Sequence, residues 1–379
     1  MHAILASGMK IGIDARLWNE SGVGRYTRNL IQELLQIDRK NEYLLFVRAQ
    51  EYQAIKSQLS DYKRLMLVLA DIRWHSISEQ LQFASIIKKE KLDLMHFPYF
   101  SIPILYNDPF VITIHDLILH HFATGQASTL PLPVYKAKRL AYLFAIKKAA
   151  KKAKKIIVPS LETKNEVINH LEVSGENIVV THEGIDPSME KAIRENGIDA
   201  PSYKKYFLTV GNAYPHKNLE LLVDAFLEVR AKKSCTLLIV GKDDYFYKRL
   251  KKRVKEKGSN AIFFKHTVDD RELVSYYKHA IALITPSFME GFGLPALEAM
   301  ASGCMVIASD IPVFKEICKD AALYFNPYYK EQLVKKLQFV LSKPPAYFAK
   351  QKTIGLARAK KFSFHKMAKE TLAVYNQSV

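Results

Sequence analysis

The sequence predicts an α/β protein built from two doubly wound, Rossmann-like domains. Three observations carry this reading. Short β-branched runs alternate with longer amphipathic stretches, the alternation comes in two sets, and a polar segment at Asp186–Tyr203, holding Pro187 and Pro201, divides them. A chain of 379 residues is also too long for one ordinary core and suits two domains of roughly 150–200 residues each. The first domain is expected over 9–186 and the second over 203–360, with a C-terminal helix at about 362–379 packing back on the first.

In the first set, KIGIDA precedes a helical pattern over Tyr26–Leu35. YLLFV, LMLVL, LDLMHF, FVITIH, KKIIVPS and NIVVTHEG then read as strands. The second set runs YFLTVGN, TLLIVGK, AIFFKH, IALITPS and CMVIASD, each followed by a helix-like stretch. Near-continuous apolar strands separated by amphipathic helices indicate parallel sheets covered on both faces. Ligands bind such sheets beyond the carboxyl ends of the strands. The unusual residues fall there: Gly22 and Gly24 after the first strand, Gly211 through Lys217, and Glu290 through Pro295. A cleft between the two domains is therefore expected to be lined from both sides.

A hydrophobic content of 49% and a charged content of 25% are those of a soluble globular protein. No apolar run approaches the ~20 residues that span a bilayer. The opening MHAILASG is too short for a secretory signal and lacks a basic start, so Met1–Gly8 reads as a tail or a misassigned start ahead of Met9. Cys235, Cys304 and Cys318 are widely spaced, which argues against a disulfide scaffold or structural zinc and fits a reducing cytosol. The formal charge of +18 asks for an anionic partner: nucleic acid, lipid or a phosphorylated ligand.

The most specific signal is ITPSFMEGFGLPALEAMASG. Gly291 and Gly293 allow backbone conformations that side chains would block. Pro295 suits the first turn of a helix, where its missing N–H would be unpaired anyway. The start of that helix offers amides and a partial positive charge to a phosphate. Glu290 sits in the loop and Glu298 about one turn into the helix, so they do not form a facing acid–base pair of the glycosidase type. Each is placed to accept hydrogen bonds from hydroxyls of one extended ligand; a capped strand-to-helix turn with a solvated Glu298 is the plainer alternative.

The Glu-x7-Glu spacing of Glu290 and Glu298 resembles that of retaining glycosyltransferases of family 4, which have the two-domain GT-B fold. SGVGRY, VITIHD, IIVPSLETKNEVINHL, EGID, VGNAYPHKN and LLIVGK occur in that family's order, from Lys10 to about Pro327. The resemblance implies sugar transfer from a nucleotide-sugar donor, with no cofactor and no metal. It implies that Glu298 binds the donor ribose and Glu290 the hydroxyls of the transferred sugar. Backbone amides of Phe292, Gly293 and Leu294 would hold sugar and phosphate oxygens, and Lys217 would neutralise the diphosphate as negative charge grows on the leaving group. Several relatives carry an arginine just after the glycine of this motif, where this chain has Gly211 followed by Asn212. Gly22 and Gly24 of SGVGRY would approach the donor phosphate and the acceptor, with Arg25 as a further cation. As a lone motif, SGVGRY is an ordinary turn before a helix.

His115 and Asp116 end the strand of ITIHDLILHHF, and His120 and His121 follow. Adjacent histidines on extended chain point apart, which disfavours a metal site. The resemblance gives His115 a hydrogen bond to the transferred sugar; a strand-end histidine filling its own hydrogen bonds is the alternative. Asp243–Asp244 and Asp269–Asp270 read as solvated turns.

From Lys136 to Lys155 the chain holds nine basic residues and no acid. On a helical projection Tyr142, Ile146, Ala149, Ala150 and Ala153 share one face. Lys136, Lys147, Lys151 and Lys154 occupy the other, with Leu140, Leu143 and Phe144 among them. Apolar groups amid lysines suit an anionic membrane surface, where each lysine contributes roughly 1 kcal/mol. The membrane contact is assigned to Leu140, Phe144, Lys147 and Lys151; the alternative is a solvated basic helix. No nucleic-acid module accompanies the charge.

Together these readings give a cytoplasmic hexosyltransferase, peripheral on the inner face of the cell membrane, that builds surface polysaccharide. Its partners would be a nucleotide-sugar, with GDP-mannose favoured by similarity to mannosyltransferases, and a saccharide or lipid-linked acceptor. A nucleotide-sugar epimerase and a non-catalytic nucleotide-sugar-binding protein are the competing functions.

Overall fold

The computed structural model describes residues 8–20, 22–122, 132–195, 197–203, 205–231 and 233–379. Ser21 of the SGVGRY motif and residues 1–7 of the expected tail lie outside them. The chain forms two compact units. One comprises the chain up to Leu117, Pro133–Glu183 and Phe364–Val379; the other comprises Ile118–Leu132 and Gly184–Ser363.

The first unit is built on seven strands: β1 (Lys10–Asp14), β2 (Glu42–Val47), β3 (Leu65–Leu69), β4 (Leu94–Phe97), β5 (Phe110–Thr113), β6 (Lys155–Val158) and β7 (Ile178–Val180). All pair in parallel, in the order β3-β2-β1-β4-β5-β6-β7. The second unit carries β8 (Tyr206–Val210), β9 (Thr236–Val240), β10 (Ile262–Lys265), β11 (Ala282–Thr285), β12 (Val306–Ser309) and β13 (Ala322–Phe325). These are also parallel, ordered β10-β9-β8-β11-β12-β13. Each sheet is buried on both faces, as the unbroken apolar runs require: Leu44 to Val47 and Ala282 to Ile284 are fully inaccessible. The winding direction reverses between β1 and β4 in the first unit and between β8 and β11 in the second. Beyond the carboxyl ends of those strands lie the two crevices of a doubly wound fold.

Several local expectations change. The edge strand β13 was not anticipated, because ALYF is four residues long and its central Leu323 and Tyr324 are only half-buried. The first helix runs Gly22–Ile37, so Gly22 and Gly24 lie inside its first turn rather than in a turn ahead of it. A Cβ on Gly24 would stand 2.5 Å from the Trp18 carbonyl oxygen, whereas one on Gly22 would meet nothing within 4 Å. Ile118–His121 is one helical turn, not extended chain. The basic helix spans Leu132–Lys152, and Lys155 already belongs to β6. Asp244 and Asp269 cap the helices Tyr245–Glu256 and Asp270–His279 by accepting from backbone amides, so these two are structural rather than simply solvated.

The helix Phe364–Asn376 returns to the first unit, where it packs on Gly22–Ile37. His365 Nδ1 lies 2.9 Å from Glu33 at its exposed start. At its buried end Tyr375 Oη lies 2.6 Å from His96 Nδ1, and His96 Nε2 lies 2.8 Å from Thr113 Oγ1. Thr113 Oγ1 in turn lies 3.1 Å from the Tyr26 hydroxyl. Burial, with His115 nearby, pushes the His96 imidazole down to about 3, so it is neutral at ordinary pH and depends on these two partners. Tyr375→Phe strands a buried ring nitrogen and is expected to cost about 1–3 kcal/mol of stability. His365→Ala, at an exposed pair, should cost under about 1 kcal/mol. Urea unfolding of the two variants measures the contrast.

Candidate active site

In the second unit the site grows from the loops that follow β8, β11 and β13. After β8, Gly211 takes φ +140°, and its carbonyl accepts a 2.6 Å hydrogen bond from the Tyr247 hydroxyl. The chain then makes a 3-10 turn, Pro215–Lys217, and Asn218 adopts a left-handed conformation before the helix Leu219–Arg230. Asn218 Nδ2 donates to the carbonyls of Pro286 (3.2 Å) and Pro327 (3.0 Å), and the Phe288 amide donates to the His216 carbonyl at 2.7 Å. One asparagine thus ties three loops together, and the side chains they carry have fixed positions.

Those side chains include Lys217 and Glu290. The Lys217 ammonium donates to both Glu290 oxygens at 2.8 Å, and Ser287 Oγ donates to Oε1 at 2.7 Å. Burial pushes the Glu290 carboxyl up, but Lys217 and Ser287 outweigh it and hold the group below the usual carboxylate range. Thr209, Gly211, Asn212, Lys217, Ser287 and Pro295 are among the residues lining the cavity beside the pair, about 10 Å³ in volume. That is room for about one water and not for a phosphate. Asn212 is neutral, with its Oδ1 buried and unpartnered among the described residues, and cannot stand in for an arginine's charge.

The helix after the loop runs Leu294–Ala301 and is capped by Gly293 at φ +93°, with Pro295 in its first turn. Ala296 and Leu297 donate their amides to the Gly293 carbonyl and Pro295 has no N–H, so the glycine cap, which has no side chain, leaves Leu294 as the leading amide of the helix for an anion. Phe292 is buried with its ring edge-on to Phe362 at 5.8 Å, so its side chain anchors the loop. Glu298 is 3% exposed and accepts a 2.9 Å hydrogen bond from the Tyr277 hydroxyl; the solvated alternative is thereby removed.

His216, 4% exposed, adjoins the ion pair, and its Nδ1 is buried with no partner among the described residues. Burial and then Lys217, opposed by Glu290, bring its imidazole down to about 4. Sequence reasoning missed His216, Ser287 and Tyr277. Their neighbours in VGNAYPHKN and PSFMEGFG marked the loops, but only the fold brings the loops together.

In the first unit, His115 follows β5. Its Nε2 donates to the Pro98 carbonyl at 3.0 Å and its Nδ1 lies 3.3 Å from Glu183 Oε1, with Tyr26 packed edge-on at 4.7 Å. Both ring nitrogens are engaged, so the hydrogen bond to a sugar that the resemblance implies requires the ring to release one partner. Gly22 and Gly24 sit beyond β1, where Arg16 is buried between Asp14 and Glu79, with 2.7 Å ion pairs to each. Burial lowers the Arg16 guanidinium, but the two carboxylates outweigh it and raise it on balance. Leu140 and Phe144, 68% and 62% exposed, share the basic helix with Lys147 and Lys151, which both pair with Glu172, at 2.5 and 3.2 Å.

Parallel doubly wound sheets with a lysine, a carboxylate and a glycine-capped helix at a switch point place this chain among the doubly wound α/β proteins, whose ligands bind at such points. Comparison with known proteins makes this specific. The profile of Glycosyltransferase Family 4 matches residues 21–189, and that of Glycosyl transferases group 1 matches residues 190–355. The O-antigen chain mannosyltransferase RfbU of Salmonella typhimurium is 30% identical over 261 residues, 68% of each chain. The O-antigen chain mannosyltransferase B of Escherichia coli is 26% identical over 381 residues, covering 94% of this chain and 96% of that one. The structure of sucrose-phosphate synthase from Thermosynechococcus elongatus superposes with a TM-score of 0.74 at 19% identity, covering 97% of this chain and 98% of that one, which is the GT-B fold. The chain belongs to the group 1, family 4 glycosyltransferases and is a glycosyltransferase. The epimerase and binding-only readings are not favoured.

The neutral His216 gives a signed pH effect. Its folded value lies below the usual one, so between about 6.5 and 4 the unfolded chain binds the extra proton, and stability falls as pH falls. His216→Gln should flatten that acid limb for the second unit by up to about 3 kcal/mol. Unfolding of wild type and variant at a series of pH values reads it.

Proposed function

We propose that the protein transfers mannose from GDP-mannose, with retention at the anomeric carbon, to a saccharide or lipid-linked acceptor in surface polysaccharide assembly. The observation that carries the proposal is the Lys217–Glu290 pair beside the glycine-capped helix at the β8/β11 switch point. Membership in the family and the mannosyl transfer named for both relatives support the choice of sugar.

Lys217 leaves Glu290 to meet the incoming diphosphate, which is a better-charged partner, and the freed carboxylate accepts hydrogen bonds from sugar hydroxyls. The amides of Phe292, Gly293 and Leu294 take phosphate and sugar oxygens, and Glu298 takes the ribose. The bond from the anomeric carbon to the phosphate oxygen breaks, the acceptor oxygen bonds on the same face, and its proton passes to the departing phosphate. Lys217 and the helix dipole stabilise the charge that grows there. The turn His266–Val268, where Thr267 is left-handed, is the proposed contact for the base.

Lys217→Ala and Glu290→Gln should each lower kcat/KM for sugar transfer by roughly 10²–10³-fold. A panel of nucleotide sugars should raise thermal stability most with GDP-mannose. Wild-type turnover in Glu290→Gln would exclude the mechanism, and isomerised donor formed without acceptor would restore the epimerase.

Among the described residues no helix is long and apolar enough to cross a membrane. We place the enzyme in the cytoplasm, peripheral on an anionic membrane through Leu140 and Phe144. Because Lys147 and Lys151 are already paired with Glu172, their charge is partly spent, and the exposed apolar pair carries the contact. Sedimentation with anionic phospholipid vesicles should show binding that weakens with salt and falls at least about tenfold in Leu140→Ser/Phe144→Ser. Unchanged sedimentation of that double variant would remove the membrane role.

A further inference from the structure

A second hollow, about 240 Å³ in volume, adjoins the donor-site loops within the same unit. Tyr214, Phe246 and Phe288 supply aromatic walls, and Glu220 and Arg249 supply charge. Tyr214 and Phe246 meet edge-on, with ring centroids 5.0 Å apart. Phe246 is buried against the core, while Tyr214 is 37% exposed, so one aromatic surface is fixed and another faces solvent. The Arg249 guanidinium lies 3.5 Å from the Glu220 carboxylate, both half-exposed. Phe288 belongs to the loop that carries Ser287 and Glu290, and its amide is bonded to the His216 carbonyl. One wall of the hollow is therefore rigidly coupled to the ion pair of the donor site. None of these residues has a part in the donor chemistry proposed above.

We infer that this hollow is a saccharide subsite that holds a pyranose unit of the acceptor or of the growing polysaccharide. A pyranose has an apolar face of C–H groups and a rim of hydroxyls. Aromatic faces bury the first, and a planar guanidinium with a carboxylate exchanges paired hydrogen bonds with the second. A nucleotide diphosphate is a poorer match, because Glu220 opposes its charge and already pairs with the guanidiniums of Arg249 at 3.5 Å and Arg253 at 3.6 Å. A purely apolar ligand would leave the Glu220–Arg249 pair desolvated without compensation. The volume exceeds that of the donor-side cavity and admits one sugar ring, not a folded domain. Holding a second unit of the acceptor beside the Phe288 loop would raise the residence of long acceptors over short ones. This inference rests on the glycosyltransferase reading for the identity of its ligand, and on the hollow's own residues for its location.

The test uses the full-length protein and α-linked manno-oligosaccharides of increasing length, with GDP-mannose binding followed in parallel. Saturation-transfer NMR and equilibrium titration should detect the longer oligosaccharides, and Tyr214→Ala and Arg249→Ala should each weaken them by roughly five- to tenfold. Tyr214→Trp should restore binding, which separates stacking from a folding defect; Arg249→Ala, at an exposed position, is a second guard against misfolding. GDP-mannose binding should be unchanged in all three variants. Oligosaccharide binding that Tyr214→Ala and Arg249→Ala leave intact, or no saturable binding across the series, overturns the subsite. A protein that binds the oligosaccharides through Tyr214 but fails to bind GDP-mannose would retain the subsite and sink the donor assignment instead.

Discussion

The second unit is organised around two opposite charges that cannot afford to be separated without a substitute. Lys217 and Glu290 are both mostly shielded from water, and each is the other's main compensation. A buried pair of this kind adds little net stability, yet removing one member alone is costly because the survivor is left unpaired. Three loops are held in register so that the pair can form: Asn218 bridges two of the carbonyls, and the Phe288 amide closes on His216. In the proposed mechanism, an arriving diphosphate offers Lys217 more charge than Glu290 does. In that mechanism the same constraint that holds the two charges together is what a diphosphate relieves.

Much of this was legible from the residues. The unbroken apolar runs gave the strands of two parallel sheets, and PSFMEGFGLPALEAMASG marked the loop and helix because glycine and proline have positional meanings no other residue shares. The loop after β8 was likewise flagged by Gly211 and Lys217. What could not be read was contact across the sheet. Nothing in the sequence says that the lysine at 217 lies 2.8 Å from the glutamate at 290, since strand order is set by packing and not by chain order. The same limit hid Tyr277 behind Glu298 and Glu183 behind His115. Local propensity misplaced Gly22 and Gly24, because glycine ordinarily marks turns; here Gly24 is demanded by the Trp18 carbonyl against the first turn of a helix.

The two crevices are chemically unlike. That of the second unit is lined by Lys217, Glu290 and Ser287 and lies beside a glycine-capped helix start. Near the corresponding point of the first unit, the charges are consumed internally: Arg16 is sealed between Asp14 and Glu79 with its guanidinium stacked 3.6 Å from the Phe83 ring centre. Such a network fixes loop shape and leaves little charge for a ligand.

The helix Phe364–Asn376 has a consequence for biosynthesis. It completes the core of the first unit, with Tyr375 closing a buried polar chain to His96, yet it is translated only after the whole of 184–363. The first sheet is therefore synthesised, and leaves the ribosome, well before the helix that covers it has been made.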